Sequence, residues 1–130
     1  MKKKMSSSSE DYLEAVYLLD RQKKAVRVSD ISSRMGVTMP SVHQALSILK
    51  KRDLVKQESY GYVELTSEGE KRGKRIYESH KALFKFLHGI LGLDKKVAEN
   101  DACKIEHNIS AESLEKLTEF IQRIENGSDS

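Results

Sequence analysis

Ser29-Asp30-Ile31-Ser32-Ser33-Arg34-Met35-Gly36-Val37-Thr38-Met39-Pro40-Ser41-Val42-His43-Gln44-Ala45-Leu46-Ser47-Ile48-Leu49 is the stretch that decides the architecture. Ser29 is placed to cap a short helix that turns Ile31 and Met35 inward. Gly36 ends it, since glycine takes the left-handed conformation of a helix C-terminus without steric cost. Val37 bridges to Thr38, a second N-cap, and Pro40 falls in the first turn, where its missing N–H is no loss. Val42, Ala45, Leu46 and Leu49 then recur at helical spacing, so this helix is expected to end near Arg52. A short helix, a tight turn and a second helix make a helix-turn-helix.

Upstream, Ser8 stands three residues before Asp11 in a capping-box-like start, and Tyr12, Ala15, Val16 and Leu19 mark a helix from about Ser9 to Gln22. Val26-Arg27-Val28 reads as a short extended piece. Downstream, Leu54 to Gln57 and Tyr62 to Thr66 are rich in Val, Leu, Tyr and Thr, with Glu58-Ser59-Tyr60-Gly61 as the hairpin turn between them. Three helices and a hairpin give a winged helix-turn-helix. Thr66 or Ser67 then caps a long helix at about 67–89, whose inward stripe is Ile76, His80, Leu83 and Leu87, and Gly92 ends the connection. A fifth helix is expected from about Lys95 to His107. Ser110 caps a sixth, whose stripe of Leu114, Leu117, Phe120, Ile121 and Ile124 suits a core or a seam between two copies. The fold class is therefore mostly α with a small β-hairpin wing.

The 130 residues are 38% hydrophobic and 33% charged, a globular composition of about one domain's length. No run approaches the roughly 18 apolar residues of a membrane span, and the Lys2-Lys3-Lys4 leader runs into Ser6 to Ser9 rather than an apolar signal core. A cytoplasmic protein without a membrane partner is expected. Residues 1–92 carry 18 Lys and Arg against 11 Asp and Glu (+7), and residues 93–130 carry 5 against 9 (−4). A basic front fits a polyanion partner as well as plain solubility.

The third helix gives that front its chemistry. Burying Val42 and Leu49 leaves His43, Gln44, Ser47, Lys50 and Lys51 on the opposite face. Gln pairs with adenine in the major groove, Ser and His reach base edges or phosphates, and Lys neutralises phosphate. Arg27, Thr38, Pro40, Ser41 and Lys56 lie where helix N-termini and wings meet the backbone of double-stranded DNA.

A second constellation sits further along. On the fifth helix Ala98, Ala102, Ile105 and Ile109 form a packing stripe, while Glu99, Cys103, Glu106 and His107 gather roughly 100° away. Cys103, Glu106 and His107 follow a Cys-x-x-Glu-His spacing that lets thiolate, carboxylate and imidazole converge on one ion, with His80, Asp11 and Glu14 available from two other helices. Each has a plainer reading. Asp11 and Glu14 suit the dipole at a helix N-terminus, His80 suits a hydrogen-bonded core histidine, and Cys103, the sole cysteine, suits packing or redox chemistry. The mixed oxygen, nitrogen and sulfur set suits a divalent transition metal, Mn2+ or Fe2+ by its carboxylates and imidazole, with Zn2+ or Co2+ able to substitute in vitro. A metal-dependent hydrolase with Glu106 as base lacks a substrate-positioning Arg cluster or Gly-rich loop, so no small organic substrate is expected. A metal-independent regulator with a buried polar network is the other alternative.

Glu10-Asp11-Tyr12-Leu13-Glu14-Ala15-Val16-Tyr17, Val28-Ser29-Asp30-Ile31, Pro40-Ser41-Val42, Val63-Glu64-Leu65-Thr66 and Asp101-Ala102-Cys103-Lys104-Ile105-Glu106-His107 together resemble the diphtheria toxin repressor and manganese transport regulator family. The resemblance runs from about Ser8 to Ile124. It implies a homodimeric, metal-activated repressor of metal-uptake genes that binds a palindromic operator, in the short form without an SH3-like domain. The implied organisation is a flexible basic/Ser leader at 1–8, a winged helix-turn-helix DNA-binding domain at 9–70, a helical metal-binding and dimerisation domain at 71–126, and a frayed tail at 127–130. The implied metal ligands are Asp11, Glu14, His80, Cys103, Glu106 and His107, with Glu99 at an ancillary position that lacks its carboxylate partner because Phe84 stands there. Asp11 resembles the manganese type and Cys103 the iron type. The implied dimerisation residues are Leu114, Leu117, Phe120 and Ile121.

Overall fold

The computed structural model describes residues 5–58 and 61–127. The leader residues 1–4, the hairpin-turn residues Ser59 and Tyr60, and the tail from 128 lie outside the described residues. In order, the elements are α1 (Ser7–Gln22), β1 (Val26–Arg27), α2 (Val28–Met35), α3 (Met39–Lys51), β2 (Val55–Gln57), β3 (Tyr62–Leu65), α4 (Ser67–Phe84), a π-helical stretch (Lys85–Ile90), α5 (Lys95–Asn108) and α6 (Ala111–Glu125). The chain divides into two compact units, Met1–Arg75 and Ile76–Ser130.

In the first unit α1 buries Tyr12, Leu13, Val16 and Leu19, at the spacing that lines one helix face. Ile31, Val42, Leu46, Leu49, Leu54 and Val63 complete a core in which each is 1% exposed or less. Two caps differ from the sequence expectation. Ser6, rather than Ser8, caps α1 by accepting from the Ser9 N–H at 3.1 Å. Arg27, rather than Ser29, is the N-cap of α2, because the Asp30 carboxylate accepts from the Arg27 backbone N–H at 2.9 Å and starts the helix two residues earlier. That bond, with Lys23 Nζ at 3.2 Å, holds the Asp30 carboxyl below its ordinary value of 3.8. Gly36 closes α2 at φ +66°, and Thr38 caps α3 with Pro40 in its first turn, as read from the sequence.

The hairpin is one part of a larger sheet. β3 is central, pairing antiparallel with β2 through Lys56↔Glu64 and with β1 through Val26↔Val63. Val26 and Val63 are both fully buried, so the short extended piece is held by its apolar side chain as well as its backbone. Thr66 caps α4, donating to the Asp53 carbonyl at 2.7 Å and accepting from the Gly69 N–H at 3.0 Å.

Gly69 is where α4 meets the chain entering β2, since a Cβ there would collide with the Leu54 carbonyl oxygen. Helix propensity alone would favour alanine by about 1 kcal/mol. A backbone carbonyl cannot swing aside, however, and overpacking costs about 1–3 kcal/mol or more. Gly69→Ala is therefore expected to lower the thermal midpoint by several degrees in calorimetry; a raised midpoint would show that α4 can shift freely here.

The second unit packs Ala82, Leu83, Leu87, Ala98, Ala102 and Ile121 into a core, with Phe84, Phe86, Ile105, Leu114 and Leu117 partly buried against it. Ala98 and Ala102, one turn apart, make α5 thin enough to approach closely. Asp94 caps α5 and Ser110 caps α6. The single long helix expected to about residue 89 instead changes at Lys85 to π geometry, with Leu91 N–H donating to the Phe86 carbonyl five residues back. In an uninterrupted α-helix the Leu83, Leu87 stripe would continue through Ile90 or Leu91. Ile90, which ends the wider turn, and Leu91, which caps it, are 46% and 55% exposed. Among the described residues no helix is long and apolar enough to cross a membrane.

Candidate metal centre and nucleic-acid interface

α1 carries Asp11 and Glu14 on one face, both half-buried and both engaged in interactions. On α5, Cys103, Glu106 and His107 occupy neighbouring positions of one face, and the half-buried Cys103 Sγ and a His107 ring nitrogen lie within 4.8 Å of each other.

α4 brings His80 against α5. Its Nδ1 is 2.9 Å from Glu106 Oε1, and its Nε2 is 2.9 and 3.1 Å from the two oxygens of Glu99. The Glu106 side chain is 4% exposed and that of Glu99 56%, so one carboxylate is deep and the other faces water. The hydrogen bond to Glu106 raises the His80 pKa from 6.5 to about 9, against the opposing effect of burial and with further help from Glu99. His80 is thus an imidazolium at neutral pH, donating from both nitrogens.

Folding raises this pKa, so the stability His80 contributes is complete below about pH 6.5 and is lost as pH climbs through about 9. Urea titrations of the chelator-treated protein are expected to show a falling midpoint across that window. The decline should disappear in His80→Ala; the same decline in both proteins would assign it to another group.

The donors fit a divalent transition ion: a buried carboxylate, an imidazole on that carboxylate, and a thiol within reach of a second imidazole. The His80 proton lies between the Glu106 and Glu99 carboxylates, and a metal ion would have to displace it for the ring to act as a ligand. Glu99, expected at an ancillary position, lies against His80. That pairing crosses from one helix to another over 19 residues, so helical-face analysis of α5 alone could not reveal it.

On α3 the buried side is Val42, Ala45, Leu46 and Leu49, and His43, Gln44, Ser47, Lys50 and Lys51 are all exposed. Thr38 and Pro40 are exposed at the helix start, and the Thr38 and Ser41 hydroxyls lie 2.9 Å apart as part of the cap. Arg27 donates from Nη2 to the Tyr62 hydroxyl at 2.9 Å and lies over the Tyr62 ring at 5.2 Å. Tyr62 therefore positions a guanidinium at the sheet edge, a role that no local pattern signals. Lys56 is exposed on β2. Of the α6 residues, Ile121 is fully buried in its own unit and Leu114 and Leu117 pack half-buried against the same core, leaving Phe120 exposed at 46%.

Comparison with known proteins adds a consistent pattern. The family model described as iron dependent repressor, N-terminal DNA binding domain matches residues 4–63, and that described as iron dependent repressor, metal binding and dimerisation domain matches residues 66–128. An uncharacterized HTH-type transcriptional regulator of Methanocaldococcus jannaschii is 34% identical over 120 residues, 92% of this chain and 96% of that one. The HTH-type transcriptional regulator MntR of Bacillus subtilis is 37% identical over 118 residues, 91% of this chain and 82% of that one. Among solved structures, the manganese regulator SloR superposes with a TM-score of 0.75 at 26% identity, over 88% of this chain and 53% of the other. This chain thus spans about half the length of SloR.

Proposed function

The chain belongs to the iron-dependent repressor family and is a metal-dependent transcriptional regulator rather than an enzyme, and from that premise we propose that it represses metal-uptake genes in the cytoplasm, binding a palindromic operator as a homodimer when loaded with Mn2+ or Fe2+. The observation that carries this reading is the α4–α5 cluster, where His80 is bonded to the buried Glu106 and Cys103 stands by His107. The proposed ligands are Asp11, Glu14, His80, Cys103, Glu106 and His107, with Glu99 as the ancillary group. When bound, the ion supplies positive charge shared by donors that otherwise repel one another. Oxygen ligands from Asp11, Glu14 and Glu106 favour a hard ion, whereas Cys103 adds a soft donor, which is why manganese and ferrous iron are the two candidates.

In this reading Gln44 and His43 read base edges, Lys50 and Lys51 neutralise phosphates, and Arg27 and Lys56 brace the wing on the DNA backbone. A symmetric operator requires two copies. The proposed seam uses Ile90, Leu91, Leu93 and Val97, each between 37% and 55% exposed, together with Phe120.

The test is fluorescence anisotropy of a promoter fragment from upstream of this gene or of a neighbouring metal transporter, titrated anaerobically with chelated protein and then with manganese, ferrous iron or zinc at matched salt. One metal is expected to raise operator affinity well above that for random DNA, reversibly on chelation. Equal binding with and without metal overturns the reading. In the same assay Gln44→Ala is expected to relax sequence preference, whereas Lys50→Ala weakens specific and random DNA alike; equal losses on both DNAs for both variants would remove α3 from the role.

A further inference from the structure

The first unit exposes two large apolar side chains among its described residues, Met39 at 45% and Ile48 at 48%, and both stand on α3. Isolated apolar residues at a surface are ordinary. Their placement is what bears on function. Met39 lies one turn before His43 and Ile48 one turn after Gln44, so one row of the exposed face reads Met39, His43, Ser47 and its neighbour reads Pro40, Gln44, Ile48. Val42, Ala45, Leu46 and Leu49 already supply the side that packs on the core, so neither residue is needed there.

Beside its polar and basic residues the face thus carries a large apolar side chain on each of its two rows, with Pro40 at the start of the second. The edges of base pairs in the major groove offer one apolar feature, the C5-methyl of thymine. We propose that Met39 and Ile48 contact thymine methyl groups and set part of the sequence preference beside the hydrogen-bonding residues. This rests on the reading of α3 as the DNA-reading helix. Met39, in the first turn, sits where recognition helices place base contacts, and Ile48 extends the same row as Gln44 by one turn.

Deoxyuridine lacks only that methyl group, so it isolates the interaction. A binding duplex is first selected from a random-sequence library by the full chain loaded with manganese, and is then resynthesised with single thymines replaced by deoxyuridine. At contacted positions the wild type is expected to bind about four-fold more weakly, the worth of one buried methyl-sized group. Met39→Ala or Ile48→Ala should bind the thymine and deoxyuridine duplexes equally at the position that residue contacts. Both sites are exposed and alanine is a strong helix former, so the variants keep the fold. The proposal is overturned if the wild type is indifferent to the methyl at every position, if the selected site holds no thymine, or if discrimination persists in both variants. Failure of the underlying reading looks different: no sequence is then enriched over random DNA, and both fall together.

Discussion

His107→Ala is expected to bring operator affinity with metal down to the level of the chelated protein, a loss of at least about 100-fold, while binding by the chelated protein is unchanged. His107 occupies the last turn of α5, one turn after Cys103, with the two donor atoms within 4.8 Å. The apolar core of this unit takes Ala98, Ala102 and Ile105 from α5, and His107 is not among its members. Alanine preserves the helix, so loss of a donor is separable from loss of fold by circular dichroism. Changes beyond the direct ligands cost about 10–100-fold in metal affinity, so removing a ligand should exceed them. Glu99→Gln provides the contrast. Its carboxylate is 56% exposed and touches the cluster through His80 Nε2, so a smaller loss is expected, recoverable at higher metal concentration. Metal-stimulated operator binding by His107→Ala at the wild-type level would remove His107 from the proposed ligands.

Leu91→Asp is expected to convert the dimer to a monomer, read as a halved mass by light scattering. Leu83 and Leu87 fill the core, whereas four large apolar side chains, Ile90, Leu91, Leu93 and Val97, are exposed just beyond them. Burying a side chain of this size is worth about 1.5–3 kcal/mol, and a two-fold seam counts each substitution twice. The dimer dissociation constant should therefore rise by about 100-fold or more, with operator affinity falling in parallel. Phe120→Asp tests the α6 face by the same readout. A monomer from Phe120→Asp with an intact Leu91→Asp dimer would move the seam to α6.

Much of this was legible from local sequence. Gly36, Thr38, Pro40 and Ser110 mark helix ends because capping is satisfied within a few residues of chain. The polar face of α3 followed from the spacing of Val42, Ala45, Leu46 and Leu49, and Cys103, Glu106 and His107 share a face because an α-helix repeats every 3.6 residues. The cap of α1 was displaced because four consecutive serines near its start could compete and Ser6 made the bond, and that of α2 because the Asp30 carboxylate accepted from the Arg27 N–H ahead of Ser29.

Periodicity and capping are properties of neighbouring residues, and the amino-acid order sufficed to establish the winged helix-turn-helix, the exposed polar face of α3 and the grouping of Cys103, Glu106 and His107 on one face of α5. The joining of β1 to β3, the clash that reserves position 69 for glycine, the bond of Glu99 to His80, and the π turn at Lys85–Ile90 came from tertiary packing. Each of the first three joins segments distant in sequence, and the π turn sets aside the 3.6-residue repeat, so their energies depend on which surfaces meet in space. No repeat along the chain encodes that.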